Sequence, residues 1–408
     1  MKRITFILFL SIISFPVFSQ KDNFTYKLYG FVRGDLAYDS RANALSLDGN
    51  FYILPLDIKP DANGKDLNAT PTGSFYTLST RLGLDVAGPM VGSGRSSANI
   101  EVDFGGFGST IAAMRVRHAY LALDWDHSRL LVGQTWHPMF DNLVPNVLSV
   151  STGAPFQPFS RNPQVRYRYD IDNVSFTAAT LWQFQSMSTG PNGKSSEYIK
   201  TSGIPETFLG VELSASKNLL FGVSANMISL KPRTTSVMNG NTYKVNERMT
   251  AFTYGGYARY AGRSLTIAAK TTLASSMDHS TMLGGYGVSA INIENGEQEY
   301  TPFKYSTSWI NITYGQKWRP GLLLGYSKSL GTSKQLVDLD KTYGLGLNLD
   351  QLFSVNASLS YNLPHWRFGF EYLPATAWYG SINPANGRVE DTHTVTNHRI
   401  LGLMIYFF

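Results

Sequence analysis

Two arginine pairs carry the chemistry that this chain could do: Arg115-Val116-Arg117 and Arg166-Tyr167-Arg168. On an extended strand, residues two apart share one face at a spacing of about 6.5 Å. Guanidiniums that close repel each other unless an anion or a carboxylate lies between them. Glu101 and Asp103 repeat the same spacing nearby. The pairs therefore read in two ways, as a wall ion-paired with Glu101 and Asp103, or as a ladder that guides anionic solutes. All four positions are Arg and none is Lys, which suits bidentate contact with a carboxylate. Arg33 and Arg81 fall on the charged parity of their own segments, as do the acids Asp35 and Asp85.

Bond-making chemistry finds no comparable support. The seven histidines form no HExxH pair, and His393 and His398, five apart, fall on opposite faces of a strand. No GxSxG occurs, and cysteine is absent, which excludes disulfides and thiolate metal sites. Asp338-Leu339-Asp340 has a spacing that could hold calcium but reads better as a solvated loop tip. No enzyme, cofactor or metal is expected, and the histidines read as lumen or girdle residues. The alternative classes to a pore are an outer-membrane barrel enzyme and a surface-adhesive or structural barrel.

The elements that would position the arginines are strands. The chain is 43% hydrophobic and 13% aromatic but only 16% charged, below the quarter or so usual for soluble domains. Yet no window after residue 18 approaches the roughly 18 apolar residues of a membrane helix. The apolar content is instead spread by alternation. Over 24–38 the even positions are Phe24, Tyr26, Leu28, Gly30, Val32, Gly34, Leu36 and Tyr38, while Lys27, Arg33 and Asp35 are odd. Leu82, Leu84 and Val86 oppose Arg81 and Asp85, and Trp366, Phe368, Phe370 and Tyr372 oppose Arg367 and Glu371. Side chains alternate across a strand, so one face is apolar and the other charged.

About sixteen such segments follow one another, each near the ten residues that a tilted strand needs to cross a bilayer. Tight connections, such as Ile171–Asp172 and Arg319–Pro320, with a somewhat longer one at Gly88–Arg95 on the same side, alternate with long ones such as 40–74, 138–163 and 276–304; only Gly106–Thr110 breaks the rule. This predicts an all-β fold: a closed antiparallel transmembrane barrel of about 16 strands with short periplasmic turns and long extracellular loops. Parity places 11 basic residues, Lys270 and Arg367 among them, and six acidic ones, Glu371 included, on the lumen side. The loop 138–163 is the third on the long side. Its five prolines and its aromatic residues suit a fixed shape folded into the lumen, and Asp141 is its only acid. Ala119–Leu123 and Leu401–Phe407 are apolar on both faces, which fits a subunit contact or packing by an infolded loop.

Lys2 and Arg3, an apolar run to Phe18 and small Ser19 predict a signal peptide over 1–19, leaving 20–408 as the barrel. Without it, 33 basic face 29 acidic residues, a mild excess with no clustered patch for nucleic acid. The C-terminal Phe408, preceded by alternate apolar residues, resembles the assembly signal of outer-membrane barrels.

Four runs resemble the DcaP-type outer-membrane porins: Arg81–Val86, Arg115–Tyr120, Leu131–Trp136 and Asn162–Tyr167. The Gly133-Gln-Thr-Trp136 and Pro163-Gln-Val-Arg-Tyr167 stretches are the more specific pair, and the likeness is strong over about 75–170. The resemblance implies a homotrimeric sixteen-strand porin with a basic eyelet that passes small carboxylates by diffusion. It also implies that Arg115, Arg117, Arg161, Arg166 and Arg168 are eyelet arginines. Outer-membrane lipid and small anionic solutes are the expected partners, and the outer membrane the expected location. Some members carry an N-terminal coiled-coil extension, for which this chain has no room before its first strand. The aromatic chain and the Ser19-Gln20 junction resemble proteins of Bacteroidota.

Overall fold

The computed structural model describes residues 24–46, 50–106, 110 and 112–408. The expected signal peptide lies outside the described residues. Sixteen strands form the wall. They are β1 Thr25–Asp39, β2 Arg81–Val91, β3 Gly94–Asp103, β4 Arg115–Asp124, β5 Ser128–Trp136, β6 Arg161–Ile171, β7 Val174–Leu181 and β8 Glu206–Ser216. There follow β9 Leu219–Leu230, β10 Met249–Ala261, β11 Leu265–Ser275, β12 Gln298–Tyr314, β13 Trp318–Gly331, β14 Leu349–Asn362, β15 Trp366–Ile382 and β16 Val389–Phe407.

Each strand pairs antiparallel with its sequence neighbours, and β1 pairs with β16 from Phe31↔Phe407 to Asp39↔Arg399. The ring therefore has no free edge, and its backbone groups are paired internally, as hydrocarbon demands. The lower half of β1 pairs with β2 and the upper half with Thr72–Tyr76, which continues the line of β2. At the break between them, Thr80 Oγ1 accepts the Arg33 N–H at 3.1 Å in place of a ladder carbonyl. Phe408 and Gly30 exchange both backbone bonds at 3.1 Å, and the Phe408 ring lies over Gly30. A Cβ there would stand 2.4 Å from the Arg81 carbonyl oxygen and 2.9 Å from that ring, so only glycine fits the seam.

The pleat follows the expected alternation. Tyr26, Leu28, Val32, Leu36 and Tyr38 are exposed outward on β1, while Arg33, Asp35, Ala37 and Asp39 are buried inward. No described helix is long and apolar enough to cross a membrane; the crossing elements are strands. Two turns differ from expectation. β2 and β3 run on to Val91 and from Gly94, so that turn is shorter than Gly88–Arg95. Pro320 lies inside β13, just past the Thr313–Gly321 pair where the ladder to β12 ends, so its missing N–H leaves no gap. The connection expected at Gly106–Thr110 falls partly outside the described residues; β4 starts at Arg115 rather than near 111.

The two poorly alternating segments have different causes. The β3–β4 register slips between Glu101↔His118 and Val102↔Val116, leaving Arg117 as the extra residue of a bulge. Arg117 and His118 then both face inward, and beyond them parity inverts: Leu121 is exposed outward while Ala122 is buried. On β16, Leu401, Leu403 and Ile405 pack inward with Ala37 against Leu148, a residue of the loop between β5 and β6. That loop does fold into the barrel. With Phe51 and Leu54 from the β1–β2 connection it builds an apolar core against β10–β16, around Phe156, Phe303, Trp309 and Leu349.

The alternation sets a test. Val223 is exposed near the middle of β9, a strand of 12 residues. Val223→Arg places a charge in hydrocarbon and is expected to lower stability by about 2–4 kcal/mol. Thr177→Arg, on the wet lumen side of β7, is expected to leave the denaturation midpoint of the heat-modifiable band within about 0.5 kcal/mol of wild type. Equal effects of the two would contradict the inside–outside assignment.

Candidate functional site

The loop 137–160 leaves β5 at His137, whose Nδ1 accepts the Met139 N–H at 3.1 Å and so caps a one-turn helix, α1 Pro138–Asp141. Pro138 at its first position loses no backbone bond. The loop then crosses to the far wall, and polar groups buried on that wall hold its backbone. Lys270 of β11 donates to the Met139 carbonyl and, at 2.9 Å, to Asn142 Oδ1. Asn311 Oδ1 of β12 accepts the Asn146 N–H at 2.8 Å. Glu371 of β15 accepts the Leu148 N–H at 2.7 Å and the Ser149 N–H at 3.2 Å. Arg33 of β1 donates to the Leu148 carbonyl at 2.7 Å and pairs with Asp35 at the same distance. Gln157 donates to the Leu143 and Phe140 carbonyls, and its own carbonyl accepts the Trp309 indole N–H at 3.0 Å. A buried backbone group costs about 1–3 kcal/mol if unpaired, so these clamps decide where the loop lies.

The expected arginines gather where this loop leaves β5 and returns into β6. Arg115 holds Asp103 with two bonds, Nε to Oδ1 at 2.9 Å and Nη2 to Oδ2 at 2.8 Å. Bulged Arg117 reaches both acids, Glu101 at 2.6 Å and Asp103 at 3.0 Å. Arg81 stands 3.8 Å from Glu101 and lies over the Phe31 ring. Arg166 pairs with Asp141, the loop's acid, at 2.8 Å. Arg168 bridges Asp170 and Glu212, and Asp85 accepts from Asn99 at 2.7 Å. The ion-paired wall is therefore present for Arg115 and Arg117.

Arg161 differs. Its guanidinium lies 4.7 Å over the Trp136 ring and 5.8 Å from Phe159, with Arg117 on the same indole at 5.4 Å. Among the described residues no carboxylate lies within 4 Å of it, and its buried Nε and Nη1 have no hydrogen-bond partner. Beside this group a cavity of about 440 Å³ lies against β1–β7, with Glu101, His118, Trp136, Asp141, Arg166 and Arg168 in its lining. The lumen is thus divided, with the apolar core on the β10–β16 side and polar space on the β1–β7 side.

A second polar cluster was not legible in the sequence. His137, Glu206 of β8 and His279 of the β11–β12 connection converge with their side chains fully buried. Three donors meet Glu206 Oε1: His137 Nε2 at 3.1 Å, His279 Nε2 at 3.2 Å and Asn226 Nδ2 at 2.7 Å. Two histidines and a carboxylate are a plausible ligand set for a metal. The capping bond argues against one: with Nδ1 accepting from Met139, His137 must carry its hydrogen on Nε2 and has no lone pair there to give. Asp338-Leu-Asp340, expected as a loop tip, instead opens a strand, Asp338–Leu345, that pairs with Gly284–Ile291, and Asp338 is paired to Lys341 at 2.6 Å.

Comparison with known proteins agrees with this architecture. Residues 15–181 match the family described as DcaP outer membrane protein, a span that contains the four runs on which the resemblance rested. No curated protein matches. Among solved structures, the anion-selective porin from Comamonas acidovorans is 10% identical, over 94% of this chain and 100% of that one, with a TM-score of 0.58. The trimer form of OmpT, an outer membrane protein of Vibrio cholerae, is 13% identical over 94% and 99%, with a TM-score of 0.54. Salmonella typhi OmpF in complex with daunomycin is 13% identical over 94% and 97%, at 0.51. The chain is an outer-membrane β-barrel of the porin type.

The clamps make the loop's position testable. Glu371→Leu leaves the Leu148 and Ser149 N–H groups buried without an acceptor and is expected to destabilise the seated loop by about 2–4 kcal/mol. Hydrogen exchange at those two amides should quicken by at least about tenfold and single-channel current should become noisier. Unchanged exchange would show that the loop is held by its apolar contacts alone.

Proposed function

We propose that the barrel is a passive pore for small hydrophilic solutes, that it prefers anions, carboxylates among them, and that it works as a homotrimer. Arg161 carries the reading. Around it Arg81, Arg115 and Arg117 add three positive charges, while Glu101 and Asp103 add two negative ones. Four guanidiniums against two carboxylates leave a net charge of about +2 at neutral pH. Stacking on Trp136 and Phe159 holds the Arg161 plane and leaves its donors without a protein acceptor. Arg161 is itself buried and lies outside the cavity's lining, so its charge acts on a solute through space rather than by direct contact. In a narrow lumen with low-dielectric walls, a fixed positive charge raises the local concentration of anions and lowers that of cations. Screening limits its reach to about 8–10 Å, so the narrowing by the loop is what makes the charge felt.

Transport of this kind needs no chemical step. That the Comamonas neighbour is an anion-selective porin supports the preference, and the OmpT trimer supports the assembly. On the outer wall an apolar groove of about 800 Å³ crosses β13–β16 and β1, past Trp318, Trp366, Phe370 and Tyr406 and over Gly34 and Gly402. We assign the subunit contact to this wall.

Reversal potential in a KCl gradient is the test. Wild type is expected to pass chloride in preference to potassium, Arg161→Gln to lower the ratio, and saturating succinate to block wild type more strongly than the variant. A cation-selective wild type, or a variant with unchanged selectivity, would contradict the reading.

A further inference from the structure

We propose that His137, Glu206 and His279 form a latch for the constriction loop that holds when the two histidines together carry one proton beyond their neutral forms, and that loosens when that proton is lost or a second is added. The inference uses the chain's role as a pore but not its anion preference. The latch joins three separate segments: the start of the loop across the lumen, the first residue of β8, and the β11–β12 connection. Phe208 lies edge-on to His137 and Met277 adjoins Asn226, both within an apolar cluster that includes Leu181 and Met282.

The bonds fix the hydrogen of His137, and the charge of Glu206 places the further proton on His279, whose buried Nδ1, like Glu206 Oε2, has no hydrogen-bond partner among the described residues. His137 is neutral, because Nδ1 accepts from Met139 while Nε2–H donates to Glu206. Glu206 brings a full charge into a site without solvent access and needs one positive partner there. His279 supplies it, donating through Nε2 to the same oxygen. Other charged groups lie further out. Arg166 of β6 faces His137 and is itself paired with Asp141 of α1. Lys270 of β11 is engaged by Met139 and Asn142. Asp278 adjoins His279, accepts the Thr189 N–H at 2.7 Å and faces Lys194.

Burial pulls both imidazoles towards the neutral form. In His137 it wins and the pKa is lowered; in His279 the charge and hydrogen bond of Glu206 outweigh it and the pKa is raised. The signs give a window. Stability due to His279 is present below the ordinary histidine pKa of about 6.5 and is lost as pH rises through its raised value. Stability due to neutral His137 is present above about 6.5 and is lost as pH falls through its lowered value. A second proton also removes the acceptor of the Met139 N–H, so the loop's cap opens with the latch.

The experiment is hydrogen exchange of the loop amides in the intact barrel across pH, expressed as protection relative to the intrinsic rate, with single-channel noise recorded in parallel. Protection at Asp141 and Asn142 is expected to peak near pH 6.5, to fall by up to about tenfold per pH unit on either side, and to level off once the raised pKa of His279 or the lowered pKa of His137 is passed. His137→Gln keeps a donor and an acceptor but cannot titrate, so it should lose the acid limb and keep the alkaline one. Glu206→Gln with His279→Gln, a neutral set, should flatten the alkaline limb. Flat protection in wild type, or an acid limb that survives in His137→Gln, would overturn the latch. So would a rise in thermal midpoint with zinc in wild type that His137→Gln abolishes, since the cluster would then be a metal site. Because exchange reads the loop directly, a non-conducting barrel with the same pH profile would refute the pore and leave the latch standing.

Discussion

Closure of the backbone hydrogen-bond ring governs everything else in this structure. In hydrocarbon an unpaired N–H or C=O has no water to turn to, so the sheet must return to its own first strand. It does so through the β1–β16 ladder and the bonds exchanged between Gly30 and Phe408. Once the ring is closed, the pleat allows a residue two places to point: lipid or lumen. The low charge content, the aromatic outer face and the polar inner wall all follow from that choice. So does the glycine at the seam, where the terminal ring and the Arg81 carbonyl leave no room for a Cβ.

A barrel of sixteen strands is too wide for its own wall side chains to fill. The interior is therefore organised by chain that folds back in. The loop between β5 and β6 brings apolar residues to one side and is anchored by Lys270, Asn311, Glu371 and Arg33 from the wall. Several inward charges thereby become structural. Arg33 serves Asp35 and a loop carbonyl, and Arg115 and Arg117 neutralise Asp103 and Glu101. Arg161, where the loop rejoins the wall, lies on two aromatic rings without an acid. The packing, rather than the number of inward arginines, decides which cation is left without a carboxylate among the described residues.

The strand number, the inside–outside parity and the infolding of the loop were legible because each leaves a local trace: period two, turn residues, or a proline-rich insertion of the right rank. The ion pairing of Arg115 and Arg117 was legible as one of two alternatives, since Glu101 and Asp103 sit on the adjacent segment at matching spacing. The bulge was not. One extra residue in β4 turns both Arg117 and His118 inward and inverts parity beyond them, and nothing in the residue types announces it. Pro320 marked a turn by its type and is tolerated in a strand because its neighbour's ladder has already ended. The His137–Glu206–His279 cluster joins residues 69 and 73 apart in sequence, and Glu371 reaches a backbone 223 residues away. Contacts at that range depend on closure of the whole ring, so no window of sequence contains them.

The central claim is that the loop lies strapped across the lumen in the conducting barrel. The absence of cysteine makes a direct measurement possible. Ser160→Cys with Ser280→Cys replaces the 3.0 Å hydroxyl–hydroxyl contact between the end of the loop and the β11–β12 connection by a pair of thiols. Mild oxidation of the protein in outer-membrane vesicles is expected to close one intramolecular disulfide in nearly every chain. The cross-linked barrel is expected to conduct as the reduced one does. Failure to cross-link, or loss of current on cross-linking, would contradict it.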